Sequence, residues 1–431
     1  MYNHGGCIMN LETYKLQNKK TLDERIEWWR NAKFGMFIHY GIYSCYGRGE
    51  WIKKREGISQ EEYMNTLNSS FNYQSGAAEE WIKCAKNAGM KYAVLTTQHH
   101  DGFSLWNSAV NPYNSVNYGP KTDIVKDFVD SCRKYDLKVG LYFSLANWEH
   151  PDGTVCIKDE NARRRFIAHI NEQVRELMTQ YGEINILWYD GHGTLPSAEA
   201  WGSLERNQMV RELQPNILIN DRSLLDEDYG TPEDSLNYNE FEGDWEACMR
   251  FSETAFGGVD HIKARPFKIN AHSIIKMMSK CQFGGGNLLF NISPNADGSI
   301  DSYERETLET VGRWIERHGE AVYGATIRGG SGANGISTSS RKGNRVYLWN
   351  WIWGGNFQRI NGYKNSPKSV RCITTGEKVD FKYVDGVIHL ENLPDESPDK
   401  ILNFTVFEMD FGNEEPIYEL VPRNMVQFMN V

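Results

Sequence analysis

The run Tyr92-Ala-Val-Leu-Thr-Thr-Gln-His99-His100-Asp101-Gly102-Phe103 is an apolar strand that breaks, at its C-terminal end, into two imidazoles and a carboxylate. Three further apolar runs end the same way: Phe37-Ile-His39-Tyr40-Gly41, Leu141-Tyr142-Phe143-Ser144 and Ile186-Leu187-Trp188-Tyr189-Asp190-Gly191. Polar clusters at strand ends make poor core. They are where a parallel (β/α)-barrel carries its chemistry, at the C-terminal face.

Asp190 closes an apolar strand and precedes a glycine, so its carboxylate is expected at the barrel mouth beside Trp188, as a nucleophile or as a cap for the next helix. Glu233 follows in Asp228-Tyr-Gly-Thr-Pro-Glu233, after a strand that ends in Asn220-Asp221-Arg222. Two carboxyl groups on neighbouring strand ends are what glycoside hydrolysis needs: one attacks the anomeric carbon, the other protonates the leaving oxygen and then activates water. Glu246, with Glu240 and Glu242, competes with Glu233 for the second role. His39, His99 and His100 suit hydrogen bonds to substrate hydroxyls. A metal is the alternative, but neighbours on a strand face opposite ways, so His99 and His100 share an ion only where the strand breaks between them. No HExxH or H-x-H spacing is present, and no metal or organic cofactor is expected. Gly284-Gly285-Gly286 lacks the Lys-Ser/Thr ending of a phosphate loop and reads as close backbone packing.

The elements that must position these groups alternate between short apolar runs and amphipathic segments from about Glu24 to Gly319. Strands are expected at Gly35–His39, Tyr92–Thr97, Val139–Ser144, Ile184–Tyr189, Ile217–Asn220 and Asn287–Ile292. Helices are expected at Ala77–Ala88, Thr122–Tyr135, Asn161–Tyr181, Ala198–Leu213 and Asp301–His318. With no G-x-G-x-x-G after the first strand, the pattern favours an α/β fold of (β/α)8-like type, imperfect because six strands rather than eight are clear. Beyond Tyr323 the helical period vanishes. A glycine-rich linker, Gly329-Gly-Ser-Gly332, leads to period-two runs such as Arg345-Val-Tyr-Leu-Trp-Asn350, which read as a C-terminal β-sandwich. The division expected is a catalytic barrel over 1–328 and a sandwich over 329–431.

The 431 residues carry a net charge of −10 and no long basic run, which argues against nucleic acid as a partner and suits a neutral substrate. Aromatics reach 13%, with 13 Trp and 22 Tyr, enough for sugar stacking as well as a large core. The eight cysteines show no CxxC pair and are expected as reduced thiols. No segment resembles a signal peptide or membrane span, so the expectation is a cytoplasmic protein with no membrane partner; homo-oligomerisation stays open.

Taken together, Lys33-Phe-Gly-Met-Phe-Ile-His39-Tyr-Gly, Glu50-Trp51, the stretch from Ala88 to Phe103, Leu187-Trp-Tyr-Asp-Gly191, Asn220-Asp-Arg222, Gly286-Asn-Leu-Leu-Phe-Asn-Ile-Ser-Pro294 with Asp297-Gly298, and Gly319-Glu-Ala-Val-Tyr-Gly324 resemble the α-L-fucosidases of glycoside hydrolase family 29. The resemblance runs in order from about residue 25 to 325. It implies a retaining exo-α-L-fucosidase acting on fucosylated oligosaccharides or glycoconjugates through a covalent fucosyl-enzyme. It makes Asp190 the nucleophile beside Trp188, and has His39, Glu50, Trp51, His99, His100, Tyr142 and Arg222 shape the sugar pocket. The D-[FY]-x-T-x-E pattern of some members falls on Asp228 to Glu233 and favours Glu233 as acid/base, with Glu246 as fallback. Tyr40, Gln98 and Ala255-Phe-Gly-Gly-Val depart from the family pattern, the last around the leaving group. Rival expectations are a retaining glycosidase for a related sugar such as an α-L-galactoside, and a silent carbohydrate-binding homologue.

Overall fold

A computed structural model describes residues 9–236, 243–252, 255–258, 269–326 and 336–419. Its centre is a parallel sheet of seven strands: β1 (Phe34–Ile38), β2 (Tyr92–Gln98), β3 (Lys138–Ser144), β4 (Ile186–Asp190), β5 (Leu218–Ile219), β6 (Glu246–Arg250) and β7 (Asn287–Ile292). Their order is β5-β4-β3-β2-β1-β7-β6. The two edges are joined by residues 228–234. Asp228 N–H donates to Ile219 O and Asp221 N–H to Tyr229 O on one side; Glu246 N–H donates to Gly230 O and Cys248 N–H to Pro232 O on the other. This irregular segment fills the place of an eighth strand and accounts for the imperfection expected of the barrel.

Alternate residues of each strand fill the interior, as strand geometry requires. Phe37, Val94, Tyr142, Trp188, Leu218, Cys248 and Leu289 meet there in one buried cluster, which Ile26 and Trp29 of helix α1 (Leu11–Ala32) plug from the N-terminal end. Gly35 makes room for this filling: a Cβ there would sit 2.3 Å from the Tyr92 ring. Gly286 does the same for the Trp245 ring at 2.4 Å, so at this position the glycine run is close packing. Outside the sheet lie α2 (Ile52–Arg55), α3 (Gln60–Ser70), α4 (Ala77–Asn87), α5 (Ile124–Lys134), α6 (Glu160–Gln180), α7 (Ser203–Leu213), α8 (Ala271–Phe283) and α9 (Ser302–Val322). Asp123, Asp159 and Asp301 cap α5, α6 and α9 by accepting backbone N–H bonds. The helix expected from Ala198 begins only at Ser203, because Gly202 stands in the left-handed region at φ 60°.

From Ser337 two antiparallel sheets follow. One has the order β11 (Ser369–Cys372), β14 (Thr405–Asp410), β9 (Arg345–Asn350), β8 (Ser337–Lys342); the other has β10 (Gln358–Asn361), β13 (Val387–Leu390), β12 (Phe381–Val384). Val346, Leu348, Phe407 and Met409 of the first pack with Ile360, Ile388 and Leu390 of the second, which makes the expected sandwich. The opposite face of the larger sheet, with Trp349 and Val406, joins the main core, where Trp314 of α9 donates its indole N–H to Phe404 O at 2.9 Å. The glycine linker and the boundary drawn at 328/329 lie outside the described residues, as do Glu240 and Glu242. Among the described residues the seven cysteines form no disulfide, and no helix is long and apolar enough to cross a membrane.

The joining segment is anchored at Asp228, whose carboxylate pairs with Arg25 of α1 and, at 2.9 Å, with Arg211 of α7, and accepts the Ile219 N–H at 2.8 Å. Arg25 and Asp228 are buried and Arg211 nearly so. Asp228→Ala strands the Arg25 guanidinium, while Arg211 keeps Glu227 at 2.7 Å; chemical denaturation is expected to show a loss of about 3–5 kcal/mol, the usual cost of removing one partner from a buried pair.

Candidate active site

The top layer of the barrel interior is polar. His39 follows β1, Ser144 and Asp190 end β3 and β4, Arg250 ends β6 and Asn291 lies near the end of β7. Each stands two residues beyond an apolar lumen residue, so the period that buries Phe37, Tyr142, Trp188, Cys248 and Leu289 also turns these groups to the mouth.

Asp190 is the focus. Tyr142 donates its hydroxyl to Oδ2 at 2.8 Å, Arg222 donates Nη1–H to Oδ1 at 2.7 Å, and His100 Nε2 stands 3.7 Å from Oδ2. Burial alone would raise its pKa; the Arg222 guanidinium, by its charge and its hydrogen bond, outweighs that and holds it at about 2. The carboxylate is thus ionised, and no backbone N–H of a following helix uses it as a cap: α7 begins at Ser203 after Gly202.

Arg222 sits in the turn after β5. Its Nε–H donates to Thr231 Oγ1 at 3.1 Å, its Nη2–H to Glu233 Oε2 at 3.0 Å, and its guanidinium carbon lies 4.6 Å above the Trp188 ring. Asp190 and Glu233 therefore share one guanidinium. Glu233, whose side chain is 47% exposed, is the solvent-side partner and Asp190 the interior one, at 19%.

The imidazoles line the opposite wall. β2 ends at Gln98, and a register shift between Thr96 and Gln98 breaks the alternation, so His99 and His100 both turn into the mouth with ring centroids 4.1 Å apart. His39 donates Nδ1–H to Asn291 Oδ1 at 2.6 Å, the sense being set because Asn291 Nδ2 donates to Phe256 O at 2.8 Å. That leaves Nε2 as an acceptor. Burial lowers the His39 pKa to about 3 and pushes His99 and His100 down as well, so the three are neutral. His99 stacks on Tyr142, and its Nδ1 is buried with no hydrogen-bond partner among the described residues. A buried orphan of this kind is open to a polar group that enters the mouth.

His99, His100 and Asp190 offer ligand atoms within 4.8 Å of one another, a spacing an ion could use. The Arg222 cation already occupies the electrostatic place a metal would take at Asp190, so the set fits a sugar better than an ion.

Trp51, 40% exposed, meets His100 edge-on at 5.0 Å and Trp148 at 5.1 Å, giving an aromatic rim. Glu50 does not face this space with Oε2. That oxygen accepts the N–H groups of Phe256 and Gly257 at 2.8 and 2.9 Å and holds Phe256 stacked on His39. Glu246 does not join Asp190. It opens β6, opposite Asn287 at the start of β7, and is fully buried at the N-terminal floor, where Tyr92 donates its hydroxyl to it and Trp188 its indole N–H at 3.4 Å. A group sealed at the wrong end of the strands cannot protonate a glycosidic oxygen, which corrects the fallback assignment. Sequence reading overlooked Thr231, Trp148 and Phe256. Asn291 was legible, since Asn287, Leu289 and Asn291 alternate.

The family model for α-L-fucosidases matches residues 8–320. Plasma α-L-fucosidase from Rattus norvegicus is 32% identical over 326 residues, covering 69% of this chain and 70% of that protein. The human plasma enzyme is 31% identical, covering 69% and 68%. Among solved structures, α-L-fucosidase isoenzyme 1 from Paenibacillus thiaminolyticus superposes with a TM-score of 0.79 at 29% identity, covering 91% of this chain and all of that one. A family 29 α-L-fucosidase from Bacteroides thetaiotaomicron, trapped as a covalent intermediate with 2-fluoro-fucosyl fluoride, superposes at 0.80 with 25% identity over 90% and 96%. The chain belongs to the α-L-fucosidase family, glycoside hydrolase family 29.

Proposed function

We propose that the protein is a retaining, exo-acting α-L-fucosidase that removes terminal α-L-fucosyl residues by double displacement, with Asp190 as nucleophile and Glu233 as acid/base. The observation that carries this reading is the sharing of Arg222 by two carboxylates of opposite exposure, one facing the pocket interior and the other the solvent side from which an aglycone leaves. The covalent intermediate trapped in the Bacteroides relative supports the retaining course.

Asp190 attacks the anomeric carbon from a position fixed by Arg222 and Tyr142, and its low pKa keeps it ionised across the working range. Neutral His39 and His99 offer an acceptor and an unpartnered nitrogen to sugar hydroxyls, and Trp51 and Trp148 bound the mouth. A glycoside entering between the carboxylates parts Glu233 from Arg222, and the carboxyl group then meets the leaving oxygen from the solvent side. Fucosyl transfer to Asp190 follows as the proton reaches the leaving oxygen; Glu233, now a base, then takes a proton from the water that releases fucose.

Release of chromophore from an aryl α-L-fucoside, and not from its β-anomer, tests the activity; faster release from the α-L-galactoside would assign the pocket to that sugar, and silence towards all three to a binding protein. Asp190→Gly should abolish turnover, with azide restoring part of it as the inverted fucosyl azide. Glu233→Ala should slow a sugar leaving group by roughly 100-fold or more while an activated aryl group, which needs little acid help, is spared in the transfer step. Arg222→Met removes the cation that holds Asp190 low, so the acid limb of kcat/KM should move to higher pH; an unmoved limb would detach that limb from Asp190.

A further inference from the structure

Glu246 has no part in the chemistry above, yet it is a fully buried carboxyl group inside the barrel that carries it. Its hydrogen-bonding neighbours are specific. Tyr92 donates its hydroxyl to Oε2, and Trp188 donates its indole N–H to Oε1 over a long 3.4 Å. Burial pushes its pKa up to about 7. An acid in such surroundings is costly to keep, and well-packed apolar residues would ordinarily be at least as stable there.

Trp188 is the link to the mouth. It lies on β4 two residues before Asp190 and on the same face of the strand. Arg222 rests 4.6 Å above its ring, and Tyr142 stacks against it at 5.6 Å with 19° between planes. These are the two groups that hydrogen-bond Asp190. An indole can rotate within a lumen of aromatic neighbours; anchoring its N–H from below selects one orientation, and the ring plane then sets where the guanidinium can lie.

We propose that Glu246 is a positioning residue for glycoside cleavage: from the barrel floor it orients the Trp188 indole, and through that ring it places Arg222 and Tyr142 on Asp190. The claim rests on the reading of Asp190 as nucleophile, but its physical half, the coupling of Glu246 to Arg222, is separate from turnover.

Glu246→Gln supplies the test in a side chain of equal length. The phenol of Tyr92 is the stronger donor and keeps the carboxamide oxygen, so the amide NH2 is left against the indole N–H, donor against donor, and Trp188 must turn. Adding Tyr92→Phe releases the oxygen to Trp188. Two readouts are taken on the full-length protein: the NMR resonance of the Arg222 Nε–H, which lies in the ring-current field of Trp188, and kcat and KM for an aryl α-L-fucoside. The single variant should move the Arg222 signal and lower kcat by roughly tenfold to a hundredfold, the scale of a displaced catalytic group, with a smaller change in KM; the double variant should restore both. A structural role would instead leave the double variant worse than the single. An unmoved Arg222 signal in Glu246→Gln, or failure of Tyr92→Phe to rescue, overturns the coupling. A moved signal with undiminished kcat overturns the role in catalysis. If the wild-type protein releases no aryl fucoside while the signal moves and is rescued, the coupling stands and the proposed fucosidase reaction fails.

Discussion

The Arg222 guanidinium is the cation around which the mouth of this barrel is arranged. Its planar fork binds Asp190 with one nitrogen and Glu233 with another, while its face lies on Trp188 and its Nε–H is taken by Thr231. A lysine could not do this, having one point of charge and no plane to stack. Without that cation, two carboxylates and three neutral imidazoles would crowd a poorly hydrated space, and burial would drive Asp190 towards its neutral, unreactive form. The scaffold is answerable to this one group: β5 must end where Arg222 can reach inward, and residues 228–234 must pass close enough to bring Thr231 and Glu233 to it.

The interior is graded to match. Its floor holds Tyr92, Glu246 and Asn287, its middle is apolar and aromatic, and its top is polar. The aromatic middle excludes water from beneath Asp190 and supplies the faces on which Arg222 and His99 lie. Hydrogen bonds in such low-dielectric surroundings hold geometry more firmly than they would in water. The larger sheet of the sandwich is seated on α9 through Trp314, Trp349 and Phe404.

How much of this was legible in the sequence follows from which faces of each element are apolar. β1 to β4 and β7 are apolar on both faces until their ends, so strand and site appeared together, and His39, His99, His100, Tyr142 and Asp190 were found as strand-end groups. β6 was missed because Glu246 and Arg250, its first and last residues, both face the lumen, and polar residues pointing inward look in a sequence like those of a loop. That same blindness made Glu246 a competitor for the acid, since a residue opening a parallel strand and one closing it sit at opposite ends of the barrel. Helix α1 escaped because its buried Tyr14, Ile26 and Trp29 are sparse among charges. Arg222 and Glu233 were carried by motif resemblance; their common partner is a property of three dimensions, which no spacing along the chain expresses.

The irregular eighth segment has a bearing on how such enzymes diverge. A strand inside a continuous ladder cannot gain or lose a residue without turning its side chains to the other face. Residues 228–234 touch their neighbours through isolated bridges, Asn220 with Tyr229, Gly230 with Trp245 and Glu233 with Cys248, and are pinned at one end by Asp228. With no continuous ladder along it, a change of length there disturbs fewer paired residues than one within a strand. Glu233 is therefore mounted on the less regular part of the wall, while Asp190 ends a strand that is paired on both sides. On the roles proposed above, descendants of such a fold change the aglycone they release while the sugar they recognise stays the same.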